Sequence, residues 1–124
     1  SKANSYITAA STPKDIEYGY IFNKCKLTAT AGVDKVYLGR PWRPYAYTIF
    51  MNCELGKHIV GAGWDNWRNA ENEKTARYAE YKNSGEGATR NARVKWAKQL
   101  SDKEAEKITI SDCYNMSKAW HLFE

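Results

Sequence analysis

Arg40 and Trp42 stand two residues apart in the run Tyr37-Leu38-Gly39-Arg40-Pro41-Trp42-Arg43-Pro44-Tyr45, and together they offer a grip on an acidic sugar. A guanidinium holds a carboxylate through two parallel N–H···O bonds. A neighbouring indole adds a flat apolar face and one N–H donor, and sugar acids present both a carboxylate and a flat C–H face. The surrounding residues stiffen the pair. Gly39 reaches backbone angles that other residues resist, while Pro41 and Pro44 fix their own φ and bias Arg40 and Arg43 away from helix. The run is therefore expected to leave a strand, Val36 to Leu38, as a stiff loop that holds Arg40 and Trp42 in fixed directions. The same residues also read as a rigid turn with Trp42 packed inward and Arg40 solvated.

Positioning such a loop requires regular elements on either side, and the chain repeats itself there. Ile21-Phe22-Asn23-Lys24-Cys25-Lys26-Leu27 lines up with Ile49-Phe50-Met51-Asn52-Cys53-Glu54-Leu55 at a spacing of 28, and a further step of 28 lands on Tyr78 and Tyr81. Tyr6-Ile7-Thr8-Ala9 aligns with Tyr37-Leu38-Gly39 about 30 residues on. Short runs of Ile, Phe, Tyr, Val and Thr at this period indicate strands stacked in a solenoid. The expected fold is all-β, a parallel β-helix about three coils deep. Phe22, Phe50 and Tyr78 should then stack, as should Cys25, Cys53 and Tyr81.

Phe22 and Cys25 are three apart, which strict alternation would put on opposite faces. A bend at Asn23 or Lys24 returns Phe22, Cys25 and Leu27 to the interior, since Asn tolerates the left-handed conformation; an unbroken strand would leave Phe22 in solvent. Residues 56–76 read as a long solvated excursion that ends in a charged stretch. After Trp96 the pattern changes. Ser101-Asp102-Lys103-Glu104 is a capping-box signature, so a short helix is expected from about 102 to 107. The chain thus divides into coils over residues 1–96 and a capping tail over 97–124.

Several further runs carry a family resemblance. Leu38-Gly39-Arg40-Pro41-Trp42 followed by Thr48-Ile49-Phe50-Met51, then Gly63-Trp64-Asp65-Asn66-Trp67, then Tyr78 to Ala88, then Arg93-Val94-Lys95-Trp96 keep their order and rough spacing. This sequence resembles the C-terminal part of the pectin methylesterases (pectinesterases). The resemblance implies a right-handed parallel β-helix that hydrolyses the methyl esters of galacturonate in pectin, outside the cell or in a periplasm, without metal or other cofactor. It also implies that Arg40 orients an aspartate nucleophile and helps bind substrate, and that Trp42 lines the sugar groove. The family's catalytic aspartates and oxyanion-holding glutamines fall upstream of the strand that Ile7-Thr8-Ala9 resembles, so they are absent here. Asp34 lies near Arg40 in sequence but in a Gly-containing turn, where Asp is an ordinary turn former. Glu80 and Glu86 read as surface residues.

Bulk composition narrows the alternatives. The 124 residues are 43% hydrophobic and 27% charged, which is ordinary for a globular domain. A net charge of +5 suits an anionic partner, but the basic residues are scattered, which argues against nucleic acid and membrane surfaces. Cys25, Cys53 and Cys113 include no Cys-x-x-Cys pair, so they read as buried structural thiols rather than zinc ligands. The rival reading is a non-catalytic β-helical protein that binds polysaccharide. A solenoid cut across its coils would also expose an apolar rung around Tyr6 to Ala9 and Tyr20 to Leu27, which favours self-association.

Overall fold

The computed structural model describes residues 5–16, 19–29, 32–33, 35–88 and 92–108. Asp34, Cys113 and the tail beyond 108 lie outside the described residues. The strands are β1 (Ser5–Ala10), β2 (Tyr20–Asn23), β3 (Lys26–Leu27), β4 (Val36–Pro41), β5 (Tyr47–Met51) and β6 (Glu54–Leu55). A short helix, α1 (Asn72–Thr75), precedes β7 (Arg77–Tyr81), and β8 (Lys98–Gln99) precedes α2 (Asp102–Glu106).

Every ladder among the described residues is parallel. β1 pairs with β4, β2 through β5 and β7 to β8 make one four-stranded sheet, and β3 pairs with β6. The chain therefore visits three faces in turn and comes back one strand higher, which is a parallel β-helix. A third coil continues on the outer two faces through single bridges, Val36 to Ile59, Gly39 to Trp64 and Glu54 to Ser84. The long excursion is thus a coil in its first part, with Ile59 and Trp64 buried. The sheet also runs past Trp96, because β8 pairs with β7.

One corner recurs in each coil. Lys24, Asn52 and Lys82 have φ of 59°, 54° and 48°, each just after the strand of the second face. A non-glycine residue there costs about 1–2 kcal/mol. The kink is the expected bend, at Lys24 rather than Asn23, and it puts Phe22 in the core with Cys25 and Leu27 packed against it. Phe22 pairs with Phe50, their rings stacked at 4.7 Å and 10°. Tyr6 pairs with Tyr37 in the same way.

The next step of the repeat is 30, not 28. Phe50 lies beside Glu80, Thr48 beside Tyr78 and Met51 beside Tyr81, while the backbone N–H of Cys53 donates to Asn83. The third coil is two residues longer than the second between these ladders, so the expected stacks of Phe50 on Tyr78 and Cys53 on Tyr81 do not form. Trp64 fills the column instead: it contacts Phe50 at 5.9 Å and stacks on Tyr78 at 4.2 Å and 18°.

Glu80 is not on the surface. It is paired with Arg93 (Nε to Oε2, 2.8 Å), and both side chains are under 5% exposed. The Trp64 indole and the Asn83 amide also donate to the Glu80 carboxylate. Arg93 donates onward to the carbonyls of Val60, Gly61 and Gly87. This pair ties the excursion to β7 from the inside. Removing one partner strands the other as a buried charge, which costs about 3–5 kcal/mol. Glu80→Ala should lower the unfolding free energy by about that amount, measured by urea denaturation, and the double variant Glu80→Gln/Arg93→Met should recover much of it. A loss below about 1 kcal/mol in the single variant would mean that the pair is solvated.

The capping box starts a short helix at the expected place. In α2 the Ser101 hydroxyl accepts from the Glu104 N–H, and Glu104 accepts from the Ser101 N–H. Ala105, with Leu100 and Ile108, covers Ile21, Ile49, Met51 and Ala79 on the second face. The bond from Lys98, then the Ser101 backbone N–H, lowers the Glu104 carboxyl from the ordinary 4.5 to about 2. Because the folded value is depressed, this support for α2 is complete above about pH 4.5 and is lost as pH falls towards 2. A carboxylate NMR titration of Glu104 should show a midpoint near 2; a midpoint near 4.5 would mean that the contacts with Lys98 and the cap are not formed in solution.

Candidate functional site

Arg40 lies on the first face, in β4. Gly39 opposes both Thr8 and Trp64, and a Cβ there would lie 2.3 Å from the Thr8 hydroxyl oxygen and 3.1 Å from the Trp64 ring. Only glycine lets β4 sit this close to its neighbours, and that closeness sets where Arg40 emerges. Trp42 follows on a loop whose start is fixed by the N–H groups of Trp42 and Arg43, both donating to the Ala10 carbonyl. Arg77 braces the far end of that loop. Its guanidinium donates to the Tyr45 carbonyl and to those of Pro13 and Ile16, so this end of the charged stretch is structural rather than merely solvated.

Arg40 is half-buried. Its guanidinium carbon lies 3.7 Å from the Trp67 ring centroid and 5.1 Å from those of Tyr6 and Trp42. The ring quadrupoles favour a cation there. Trp42 and Trp67 remain 55% and 41% exposed, so their outer surfaces face solvent over the arginine. Arg40 Nε and Nη1 are shielded from solvent and have no hydrogen-bond partner among the described residues. No described carboxylate lies within 4.0 Å of this guanidinium. A charge in that state is costly until an acceptor arrives.

Trp67 reaches this position through backbone strain. Trp67 and Arg68 both have positive φ, 57° and 59°, and bulky residues in that region are held there only by their surroundings. Asn66 is the clamp: its side chain accepts from the Arg68 N–H and donates to Glu73, and its carbonyl accepts from Asn72. Asp65 sits beside the site, but its Oδ2 is taken by the Tyr6 hydroxyl at 2.9 Å. Beneath Trp64, burial pushes the Tyr78 phenol well above its usual range; the charge on Arg40 opposes this and Asp65 adds to it. Tyr78 therefore serves as a neutral floor.

Both expected residues are thus brought together on one face, while Tyr6, Asp65, Trp67 and the brace Arg77 were not picked out individually. The signal for two of them lay in Gly63-Trp64-Asp65-Asn66-Trp67, but nothing in that run told which indole enters the core and which covers Arg40. His58 is buried in the third coil, with its ring against Gly56. Asp15 is exposed, and Asp102 accepts from the Tyr81 hydroxyl at the start of α2.

The pectinesterase family profile matches residues 1–116. Pectinesterase 31 of Arabidopsis thaliana is 38% identical over 105 residues, covering 84% of this chain and 33% of the relative. The chain spans about a third of the length of such curated relatives. Among solved structures, pectin methylesterase from carrot superposes with a TM-score of 0.71 at 30% identity, covering 81% of this chain and 34% of the other. A pectin methylesterase in complex with a hexasaccharide gives 0.70 at 28% identity, covering 90% and 39%. With a profile match across nearly its whole length and the same fold in these structures, the chain belongs to the pectinesterase family.

Proposed function

We propose that this chain is the substrate-groove part of an enzyme that hydrolyses galacturonate methyl esters in pectin. Water is consumed, methanol leaves and a carboxylate remains on the polymer. The observation that carries this reading is the Arg40 guanidinium, with Nε and Nη1 buried and unpartnered under three aromatic rings. Such a group calls for a carboxylate, and by the family resemblance that carboxylate is a nucleophilic aspartate from polypeptide outside these 124 residues. Arg40 keeps it ionised and aimed at the ester carbonyl. Trp42 and Trp67 offer exposed faces on which galacturonate rings stack. The bound hexasaccharide in one relative's structure supports an oligosaccharide partner. A cell-wall polymer as substrate implies action outside the cytoplasm, secreted or periplasmic.

Methanol release from methylated pectin tests the division of labour. The 124-residue chain alone should give none above background, since groups that orient and bind leave most of the barrier standing without a nucleophile. In the whole protein, Arg40→Ala should lower kcat by about 10²–10³ with the fold intact, and Arg40→Lys should not restore it because a point charge cannot reproduce the planar fork. Trp42→Ala should mainly raise KM, by several-fold for about 0.5–1.5 kcal/mol of stacking. Robust release by the isolated chain would overturn this assignment and direct attention to its own carboxylates, Asp34 first. Binding of polygalacturonate by the whole protein without any methanol release would favour the non-catalytic polysaccharide-binding alternative.

The sequence-derived expectation of an apolar rung at this end, with Ile7 on β1 exposed, also supports association of the isolated chain. Light scattering should show species larger than a monomer at high concentration; a clean monomer would exclude this.

A further inference from the structure

Cys25 and Cys53 occupy the same corner of consecutive coils. The ladder next to them pairs Lys26 with Glu54 and Leu27 with Leu55, so the residue before each strand is an in-register neighbour of the other. The Glu54 N–H donates to the Cys25 carbonyl at 2.9 Å, which holds the two corners together. Neighbouring strands stand about 4.8 Å apart, inside the range of about 4.4–6.8 Å between Cα atoms that a disulfide spans.

The left-handed residues Lys24 and Asn52 precede the two cysteines and turn both towards the interior. Cys53 is fully buried, its Sγ 3.4 Å from the Phe22 carbonyl, which belongs to the coil of Cys25. Cys25 is half-buried, with its Sγ on the Asn23 carbonyl at 3.7 Å. Both are free thiols. Burial pushes the Cys53 thiol up to about 11, and the Cys25 thiol beside it adds to the shift.

We propose that Cys25 and Cys53 form an oxidisable pair whose disulfide staples the first coil to the second. The bond closes the loop from 25 to 53, which contains β4 and the run with Arg40 and Trp42. A small soluble disulfide such as oxidised glutathione is the oxidant. The more accessible Cys25 attacks it as the thiolate, forming a mixed disulfide and expelling one glutathione thiolate. Cys53 then gives up its proton and attacks the Cys25 sulfur, expelling the second. The protein loses two electrons and two protons, and one oxidised glutathione becomes two reduced molecules. Because the Cys53 thiolate is scarce at neutral pH, the second step should quicken by up to about tenfold per pH unit as pH rises below the thiol's pKa.

The test is disulfide mapping of the native 124-residue chain after exposure to oxidised glutathione at pH 8.5, with acid quenching. Two of the three thiols should be lost, leaving Cys113 free, and a proteolytic peptide pair joined through Cys25 and Cys53 should separate on reduction. The oxidised chain should melt at least about 5 °C above the reduced one, and Cys113→Ser should give the same cross-link. A stable glutathione adduct on Cys25 with Cys53 still free would overturn the proposal. So would a bond from Cys25 to Cys113. The peptide map on the unaltered chain decides the matter even if cysteine variants fold poorly.

Discussion

Each coil of this protein must return to its starting face one strand spacing higher, and the rest of the structure follows from that closure. The corners at Lys24, Asn52 and Lys82 show how strictly it is enforced. All three accept a left-handed backbone without being glycine, and the N–H of Lys24 and that of Asn52 each find a carbonyl on the next coil, at Met51 and Tyr81. A strained residue repeated at one corner is a cost shared by every coil. It is offset because it turns the following residue inward, where Cys25 and Cys53 extend the buried column. Closure also dictates where additional chain can go. Extra residues cannot enter the ladder, so they bulge outward, and the excursion after Trp64 is such a bulge. Trp67, which covers Arg40, is therefore carried where the solenoid departs from its own repeat.

The interior carries the same tension between regularity and insertion. An apolar column of stacked rings would be expected throughout, and Phe22 with Phe50 begins it. The third coil breaks the pattern by pairing Phe50 with Glu80. A buried carboxylate is tolerable only with a full set of donors. Arg93 provides the charge, and Trp64, Asn83 and Gln99 provide further N–H groups. One of those donors is the indole that lies against Gly39. The ion pair thus fixes the rotation of Trp64, and Trp64 fixes the approach of the strand that carries Arg40. The placement of Arg40 on the outer face rests on a polar contact at the centre of the helix.

Much of this was legible in the residues, and what was not has a physical reason. The first two coils carry like residues at matching places, 28 apart on the second face and 31 apart on the first, so the pairing of Phe22 with Phe50 and of Tyr6 with Tyr37 could be read directly. Tyr78 could not be placed by the same arithmetic, because the excursion lengthens the next step by two and two residues is one full strand period. The face was right while the neighbour was wrong. Glu80 looked like a surface residue because its partner comes thirteen positions later, after another turn, where local pattern has no reach. Arg40 and Trp42 were marked by stiff neighbours. Trp67 was not placed over them, since its position depends on two consecutive left-handed residues held by the Asn66 side chain. Long-range polar pairs and strained turns are the features that spacing alone cannot reveal.

The box around Arg40 has a consequence for what the groove can discriminate. Three rings shield the guanidinium from water and stabilise its charge without hydrogen-bonding to its N–H groups. The charge is thereby kept in a low-dielectric setting with Nε and Nη1 still free to bind. An acceptor that arrives there gains more than it would from a solvated arginine. A neutral ester oxygen gains less than a carboxylate, because charge-assisted bonds are roughly twice as strong as neutral ones. The site therefore favours an ionised acid over a methyl ester at this position. Under the proposed function, a surface that accepts methylated sugar is best served if its half-buried arginine is occupied by a carboxylate of the protein itself, which leaves the ester to the faces of Trp42 and Trp67. On that proposal the rings serve two purposes at once, their inner faces retaining a charge and their exposed outer faces left for the polymer.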